Sequence, residues 1–173
     1  MDIHADPATQ MVALLPRLRR FATSLTRRPQ EVDDLVQATV ERALDRIDRW
    51  RPDTRLDSWM FRILQNIWID QLRAARPHAE LSEADDLPGT DGRVATEHHM
   101  ALAETRRAIA ELPEDQRSVI LLVLVEGFAY REAAEILDVP IGTVMSRLSR
   151  GRAALEQRLS HRPASGDPSH DHT

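Results

Sequence analysis

From Arg76 to about Glu97 the chain carries Pro77, Pro88, Gly89 and Gly92 and shows no apolar periodicity. A polar stretch of roughly 20 residues is longer than connections inside compact domains usually are. It splits the chain into two blocks, each with helical periodicity of its own. The expected organisation is a first helical domain at residues 9–75 and a flexible acidic linker at 76–97. A second helical domain follows at 98–160, then a disordered tail at 161–173 that contains Pro163, Gly166 and Pro168. No internal repeat is visible.

Hydrophobic residues make up 42% of the 173 positions and aromatics only 4%, so a core must be built mainly of Leu, Ile, Val and Ala. Ala, Leu, Arg and Glu recur, and no run alternates apolar and polar positions with β-branched residues. The expected fold class is all-α: two small helical domains joined by a flexible linker, the second containing a helix-turn-helix. There is no cysteine, which excludes disulfides and thiolate metal sites and fits a reducing cytosol. The first residues lack the basic-then-apolar pattern of a signal peptide. The longest apolar run, Val119 to Val125, is far short of the roughly 18 residues of a membrane span. A cytoplasmic protein with no direct membrane insertion is expected.

The net charge of −5 argues against nucleic acid only until its distribution is read. Residues 76–103 hold two Arg against six Asp and Glu, a net of −4, whereas residues 141–162 hold five Arg against one Glu, a net of +4. A basic stripe therefore survives inside an acidic chain.

In the first block, Met11 to Leu25 is amphipathic, with Pro16 near its start and Pro29 beyond its end. Glu31 to about Arg49 is the clearest helix. At about 100° per residue, Val36, Val40, Ala43, Leu44 and Ile47 share one side, and Asp34, Gln37, Glu41, Asp45 and Asp48 share another. Trp50-Arg51-Pro52-Asp53 breaks it. The next helix, from about Asp57 to Ala75, carries Trp59, Phe61, Ile63, Leu64, Ile67, Trp68, Ile69 and Leu72. It is apolar on too many sides for a surface helix. It must be buried on more than one side or leave aromatics exposed for a partner.

The second block carries the strongest signal. Pro113 with Glu114 and Asp115 marks a helix start, and Gly127 ends the apolar helix that follows. Tyr130 to Leu137 is a short helix whose Ala133-Ala134 pair admits a close neighbour. Asp138-Val139-Pro140 is a tight turn, and a longer helix runs on to about Leu159. Val144 and Leu148, at i and i+4, anchor that last helix. The opposite side presents Gly142, Ser146, Ser149, Arg150 and Ala153, with Thr143 and Arg147 flanking. Small and hydroxylic residues let a helix enter the major groove, and Arg pairs bidentately with guanine O6 and N7. Arg152 and Arg158 suit backbone contacts. Two packed helices with a solvated Arg face would share the pattern; the turn chemistry, the Ala pair, the anchors and the basic stripe agree on a DNA-binding helix-turn-helix.

The stretch Leu112-Pro-Glu-Asp-Gln-Arg-Ser-Val-Ile-Leu-Leu, with Gly142-Thr-Val-Met-Ser-Arg-Leu-Ser-Arg-Gly-Arg, resembles region 4 of sigma-70 family factors. Asp33-Asp-Leu-Val-Gln-Ala-Thr-Val-Glu-Arg-Ala-Leu resembles the polymerase-binding part of region 2. Leu56-Asp-Ser-Trp-Met-Phe-Arg-Ile-Leu-Gln-Asn-Ile-Trp-Ile-Asp-Gln-Leu-Arg resembles its promoter-melting part. Two signatures in that order, without a further domain, look like the small extracytoplasmic-function (ECF) subgroup. The resemblance implies an alternative sigma factor that binds core RNA polymerase, through its β′ and β subunits, and directs initiation at promoters. Its partners would be polymerase, promoter DNA and an anti-sigma factor, and no cofactor is implied.

By that resemblance Asp34, Leu35, Gln37 and Glu41 dock on a coiled coil of β′. Arg51, Asp53, Arg55, Arg62, Asn66, Asp70 and Arg73 hold the −10 element as single-stranded DNA, with Asn66 nearest a flipped base. Thr143, Ser146, Arg147, Ser149, Arg150 and Arg152 read the −35 duplex. Met145 departs from the pattern, standing where many members carry Arg or Lys. Trp59 is a packing position; Trp50 and Trp68 suit either packing or base stacking. An ordinary helix-turn-helix regulator would leave the first domain unexplained, and a sigma mimic would not need Asn66, Arg147 and Arg150. An enzyme finds no support: there is no phosphate-cradling glycine loop, no metalloprotease motif and no nucleophile set. His98, His99, His161, His170 and His172 read as solvated linker and tail residues.

Overall fold

A computed structural model describes the chain at residues 6–26, 28–75 and 97–160. Residues 76–96 of the expected linker and the tail from 161 onward, with its three histidines, lie outside the described residues. Seven α-helices, α1 (Pro7–Leu25), α2 (Pro29–Leu44), α3 (Leu56–Ala75), α4 (Glu97–Ala110), α5 (Glu114–Ile120), α6 (Tyr130–Leu137) and α7 (Ile141–Ser160), make up the described fold. A 3-10 turn at Ile47–Arg49 follows α2, and a π-helical stretch, Leu121–Val125, continues α5. None of these helices is long and apolar enough to cross a membrane.

In α1, Met11, Leu14, Leu18, Phe21, Ala22 and Leu25 recur at helical spacing and are buried. Pro16 lies within that helix but on its exposed side, so the Val12 carbonyl deprived of its usual N–H faces water. The buried side of α2 is Val32, Leu35, Thr39 and Ala43. This differs from the apolar stripe read from the wheel. Val36, Val40 and Ile47 are only half-buried against the core, and Leu44 is 50% exposed. Thr39 enters the core because its hydroxyl donates to the Leu35 carbonyl at 2.7 Å, which satisfies it inside its own helix.

The second block packs α5, α6 and α7 on one another. Ala133 and Ala134 of α6 are buried, and Val144 and Leu148 are the buried anchors of α7. Gly127, at φ +75°, ends the π-helical stretch, a conformation glycine adopts without steric cost. The Glu132 carboxylate accepts the Ala129 N–H at 2.8 Å and caps α6. Asp138, at φ 54° and ψ 48°, ends α6 in the left-handed region, and the Val139 N–H returns to the Ala134 carbonyl at 3.1 Å.

The two blocks do not stand apart. One continuous cluster of buried apolar side chains runs through both. The reason lies in α3, whose many-sided apolarity is resolved by burial on more than one side. Leu56, Met60, Phe61, Ile63, Leu64, Ile67 and Trp68 are all buried, between α1 and α2 on one side and the second block on the other. Phe61 stacks edge-to-face on Phe21 of its own block and on Phe128 of the other, each at 5.1 Å between centroids.

Candidate nucleic-acid interface

Helix α7 presents Gly142, Ser146, Ser149, Arg150 and Ala153 to solvent, the set expected from the wheel. The Ser146 hydroxyl donates to the Thr143 carbonyl at 3.0 Å, and Arg150 Nε donates to the Ser146 carbonyl at 3.3 Å, so both lie along the helix. Arg152 is exposed. Arg147 and Thr143 are half-buried at the flank, and Arg147 Nε sits 3.1 Å from the Asp115 carboxylate of α5. That pair aims the guanidinium from the helix beneath. Met145 is 53% exposed, so the departure from the family pattern lies on the outer surface. Gly151, by contrast, is buried where α7 crosses α5: a Cβ there would lie 2.9 Å from Ile120 Cγ1. Its place in the middle of a helical pattern is the signal that could have revealed this crossing.

On α3, Arg62, Asn66, Asp70 and Arg73 form one exposed row, at steps of four, four and three residues. Arg73 Nη1 lies 3.9 Å from Asp70 Oδ1. The exposed loop from Arg51 to Arg55 leads into α3, and of the residues singled out there Arg55 and Arg62 line one cleft. Arg55 is the most constrained of them. Its Nε and Nη2 donate to the two Asp57 oxygens at 3.0 and 2.7 Å, and its Nη1 donates to Glu132 of α6 at 2.7 Å. The hydrogen bond to Asp57 is the main reason its guanidinium holds its proton more tightly than usual. Burial pushes the Asp57 carboxyl up, but hydrogen bonds from Arg55, Arg17 and the Ser58 amide outweigh it and hold the group below its ordinary range.

The candidate tryptophans are packed. Trp68 is 8% exposed, and its indole N–H donates to Glu114 of α5 at 2.7 Å. Trp59 and Trp50 are half-buried against the core.

These two surfaces correspond to separate matches. Residues 11–78 match the family described as Sigma-70 region 2, and residues 102–155 match Sigma-70, region 4. The chain is 38% identical over 152 residues to the ECF RNA polymerase sigma factor EcfG of Rhodopseudomonas palustris, a match covering 86% of this chain and 82% of that one. The chain belongs to the ECF sigma factors of the sigma-70 family. It is also 32% identical to the factor SigM of Mycobacterium tuberculosis, over 84% of this chain and 72% of the other. Among solved structures it resembles the sigma factor RpoE from Bartonella quintana, determined with the anti-sigma factor NepR. That likeness has a TM-score of 0.76 and 31% identity, covering 90% of this chain and 98% of that one. CnrH, determined with the cytosolic domain of CnrY, gives a TM-score of 0.68 at 25% identity, over 91% and 89%. As an ECF sigma factor the chain is a transcription initiation factor that works with RNA polymerase at promoters.

In this sigma factor the expected polymerase-docking set on α2 divides in two. Asp34, Gln37 and Glu41 are exposed, and Gln37 Nε2 donates to Glu41 Oε1 at 2.9 Å. Leu35 is 0% exposed. The expectation that it contacts polymerase is corrected: it points from the opposite side of α2 into the core shared with α1 and α3. Sequence reasoning also missed the residues that join regions 2 and 4. Arg17 of α1 donates to the Glu126 carboxylate at 3.0 Å, to Asp57 at 3.1 Å and to the Glu126 carbonyl at 3.3 Å. Its guanidinium also lies 5.3 and 5.5 Å from the Phe61 and Phe128 centroids. Gln65 donates to Ser118 at 3.0 Å, and Arg117 donates to the Leu25 carbonyl at 3.1 Å.

Proposed function

We propose that this sigma factor grips a promoter at two points. Arg51, Asp53, Arg55, Arg62, Asn66, Asp70 and Arg73 hold the melted −10 strand, and Thr143, Ser146, Arg147, Ser149, Arg150 and Arg152 read the −35 duplex. The observation that carries this reading is the pair of separate exposed rows, one on α3 and one on α7, each mixing Arg with small or amide side chains. Arg and amide groups suit phosphates and unpaired base edges on α3. A hydroxylic and Arg-bearing helix suits the major groove on α7. The functional units are residues 9–75 and 98–160. Asp34, Gln37 and Glu41 dock on the β′ coiled coil of polymerase, region 4 engages β, and the protein acts in the cytoplasm. It is held inactive by an anti-sigma factor; support comes from the RpoE relative, whose structure contains NepR.

Run-off transcription with core polymerase, from promoters found by mapping transcript starts, tests the reading. Arg150→Ala is expected to weaken −35 recognition by about 1–3 kcal/mol, and Asn66→Ala to slow strand opening while leaving duplex binding intact. Full initiation by both variants would sink it.

A further inference from the structure

The surface proposed for the melted strand meets the protein's own region 4 at its N-terminal end, where Arg55 and Arg62 stay 59% and 50% exposed. Glu132 of α6 lies 2.7 Å from Arg55, and Asp138, in the turn after α6, lies 3.7 Å from Arg62. Between α3 and α6 runs a cleft of about 380 Å³. Thr54, Arg55, Trp59 and Arg62 line one wall, and Glu132 and Glu135 the other. A carboxylate on a guanidinium occupies the same donor geometry that a phosphodiester would use.

Exposed ion pairs contribute little to holding two surfaces together. Closure rests elsewhere, on Phe128 against Phe61, Arg17 with the 1%-exposed Glu126 side chain, and Trp68 with Glu114. The α6 carboxylates therefore have a separate effect: they decide what Arg55 and Arg62 meet once the halves are closed. The reading face of α7 is untouched by this closure, since Ser146, Ser149 and Arg150 remain exposed.

We infer that the free chain partly neutralises its own −10 surface: Glu132 joins Asp57 on Arg55, and Asp138 stands beside Arg62, where DNA phosphates would sit, while the −35 face stays open. This rests on the assignment of Arg55 and Arg62 to the melted strand. The neutralisation acts without a second protein, and separation of regions 2 and 4 removes it.

The test uses the full chain and a fluorescein-labelled thymidine oligonucleotide of about 15 nucleotides, followed by fluorescence anisotropy at low salt. Glu132→Gln with Asp138→Asn removes both charges. The Gln oxygen still accepts the Ala129 N–H, and Asn tolerates the left-handed conformation. Binding is expected to tighten about five- to tenfold, and the gain to disappear when Arg55→Ala and Arg62→Ala are added. Asp45→Asn with Asp48→Asn, two exposed acids away from the cleft, controls for net charge and is expected to change binding less than about twofold. Unchanged binding by the first pair overturns the inference. So does an equal gain from the control pair, or a gain that survives loss of the two arginines. Run-off transcription by the holoenzyme separates this from the underlying assignment. Normal initiation by Arg55→Ala with Arg62→Ala removes the −10 role, whatever the free chain binds.

Discussion

Replacing Gly151 by Ala tests how tightly the −35 helix is seated. On the present backbone the new Cβ would lie 2.9 Å from Ile120 Cγ1, 3.2 Å from Ile120 Cδ1 and 3.6 Å from Gln116 Cβ. Ordinary contact begins near 3.4 Å, so α7 and α5 must part by roughly half an ångström. Ile120 is 1% exposed, so its side chain would have to turn against buried neighbours. Overpacking of this kind costs about 1–3 kcal/mol. Ala in place of Gly inside a helix returns about 1 kcal/mol. The net expectation is a loss of about 1 kcal/mol, a fall in Tm of about 2–4 °C for a chain of this size, and weaker −35 duplex binding as α7 shifts on its support. Urea denaturation of Gly151→Ala, Ile120→Ala and the double variant isolates the contact. Ile120→Ala alone costs about 2–5 kcal/mol, and the extra methyl fills part of that space. The double variant should therefore be more stable than the sum of the two by about 0.5–3 kcal/mol. A Gly151→Ala protein about 1 kcal/mol more stable than its parent, the behaviour of an open helix position, would refute the close approach.

Phe128→Ala removes the ring that packs on Phe61 beneath two guanidinium groups. It should lower stability by about 3–5 kcal/mol and broaden the distribution of distances between regions 2 and 4, measured by double electron–electron resonance on introduced cysteines; the chain has none of its own. At position 138 stability should fall in the order Gly, Asp, Val, with Val about 1–2 kcal/mol below Asp because of the left-handed φ of 54°; chemical denaturation checks the ranking. Asp57, whose folded-state value lies below its ordinary one, adds stability that is complete above the unfolded value near 3.9. That stability drains away as pH falls through the lower folded value. Thermal melts should show the parent losing stability below about pH 4 more steeply than Asp57→Asn, and parallel curves would contradict this.

The readable parts of this protein were those decided within one helix. The exposed face of α7 follows from Val144 and Leu148 as anchors, because i and i+4 lie on one side whatever surrounds the helix. The row Arg62, Asn66, Asp70 and Arg73 came instead from the family resemblance, and its spacing then keeps it on one side of α3. On α2 a similar reading failed by part of a turn. Apolar residues occur on two neighbouring sides there, and Thr39 hides its hydroxyl in its own backbone, so polarity no longer marks the outside. Leu35 was drawn toward polymerase by its place in a motif although the core claims it completely. The contacts between regions 2 and 4 had no local trace. Arg17 and Glu126 are 109 positions apart, and periodicity carries no information over such a separation. The one hint was the excess of apolar residues on α3, which required a second covering but did not say by what.

Arg117 gives that covering a consequence far from either DNA row. Its Nη1 donates to the carbonyl of Leu25, the last residue of α1. Carbonyls in the final turn of a helix have no partner of their own, so the end of α1 is completed by a side chain from region 4. When regions 2 and 4 separate, that oxygen must turn to water, and the last turn of α1 loosens although nothing has touched it. The amide of Thr26, bonded to the Ala22 carbonyl at 2.9 Å, thus becomes a natural clock for the opening. Its hydrogen-exchange rate reports how often the factor visits the state in which both of its grips are free.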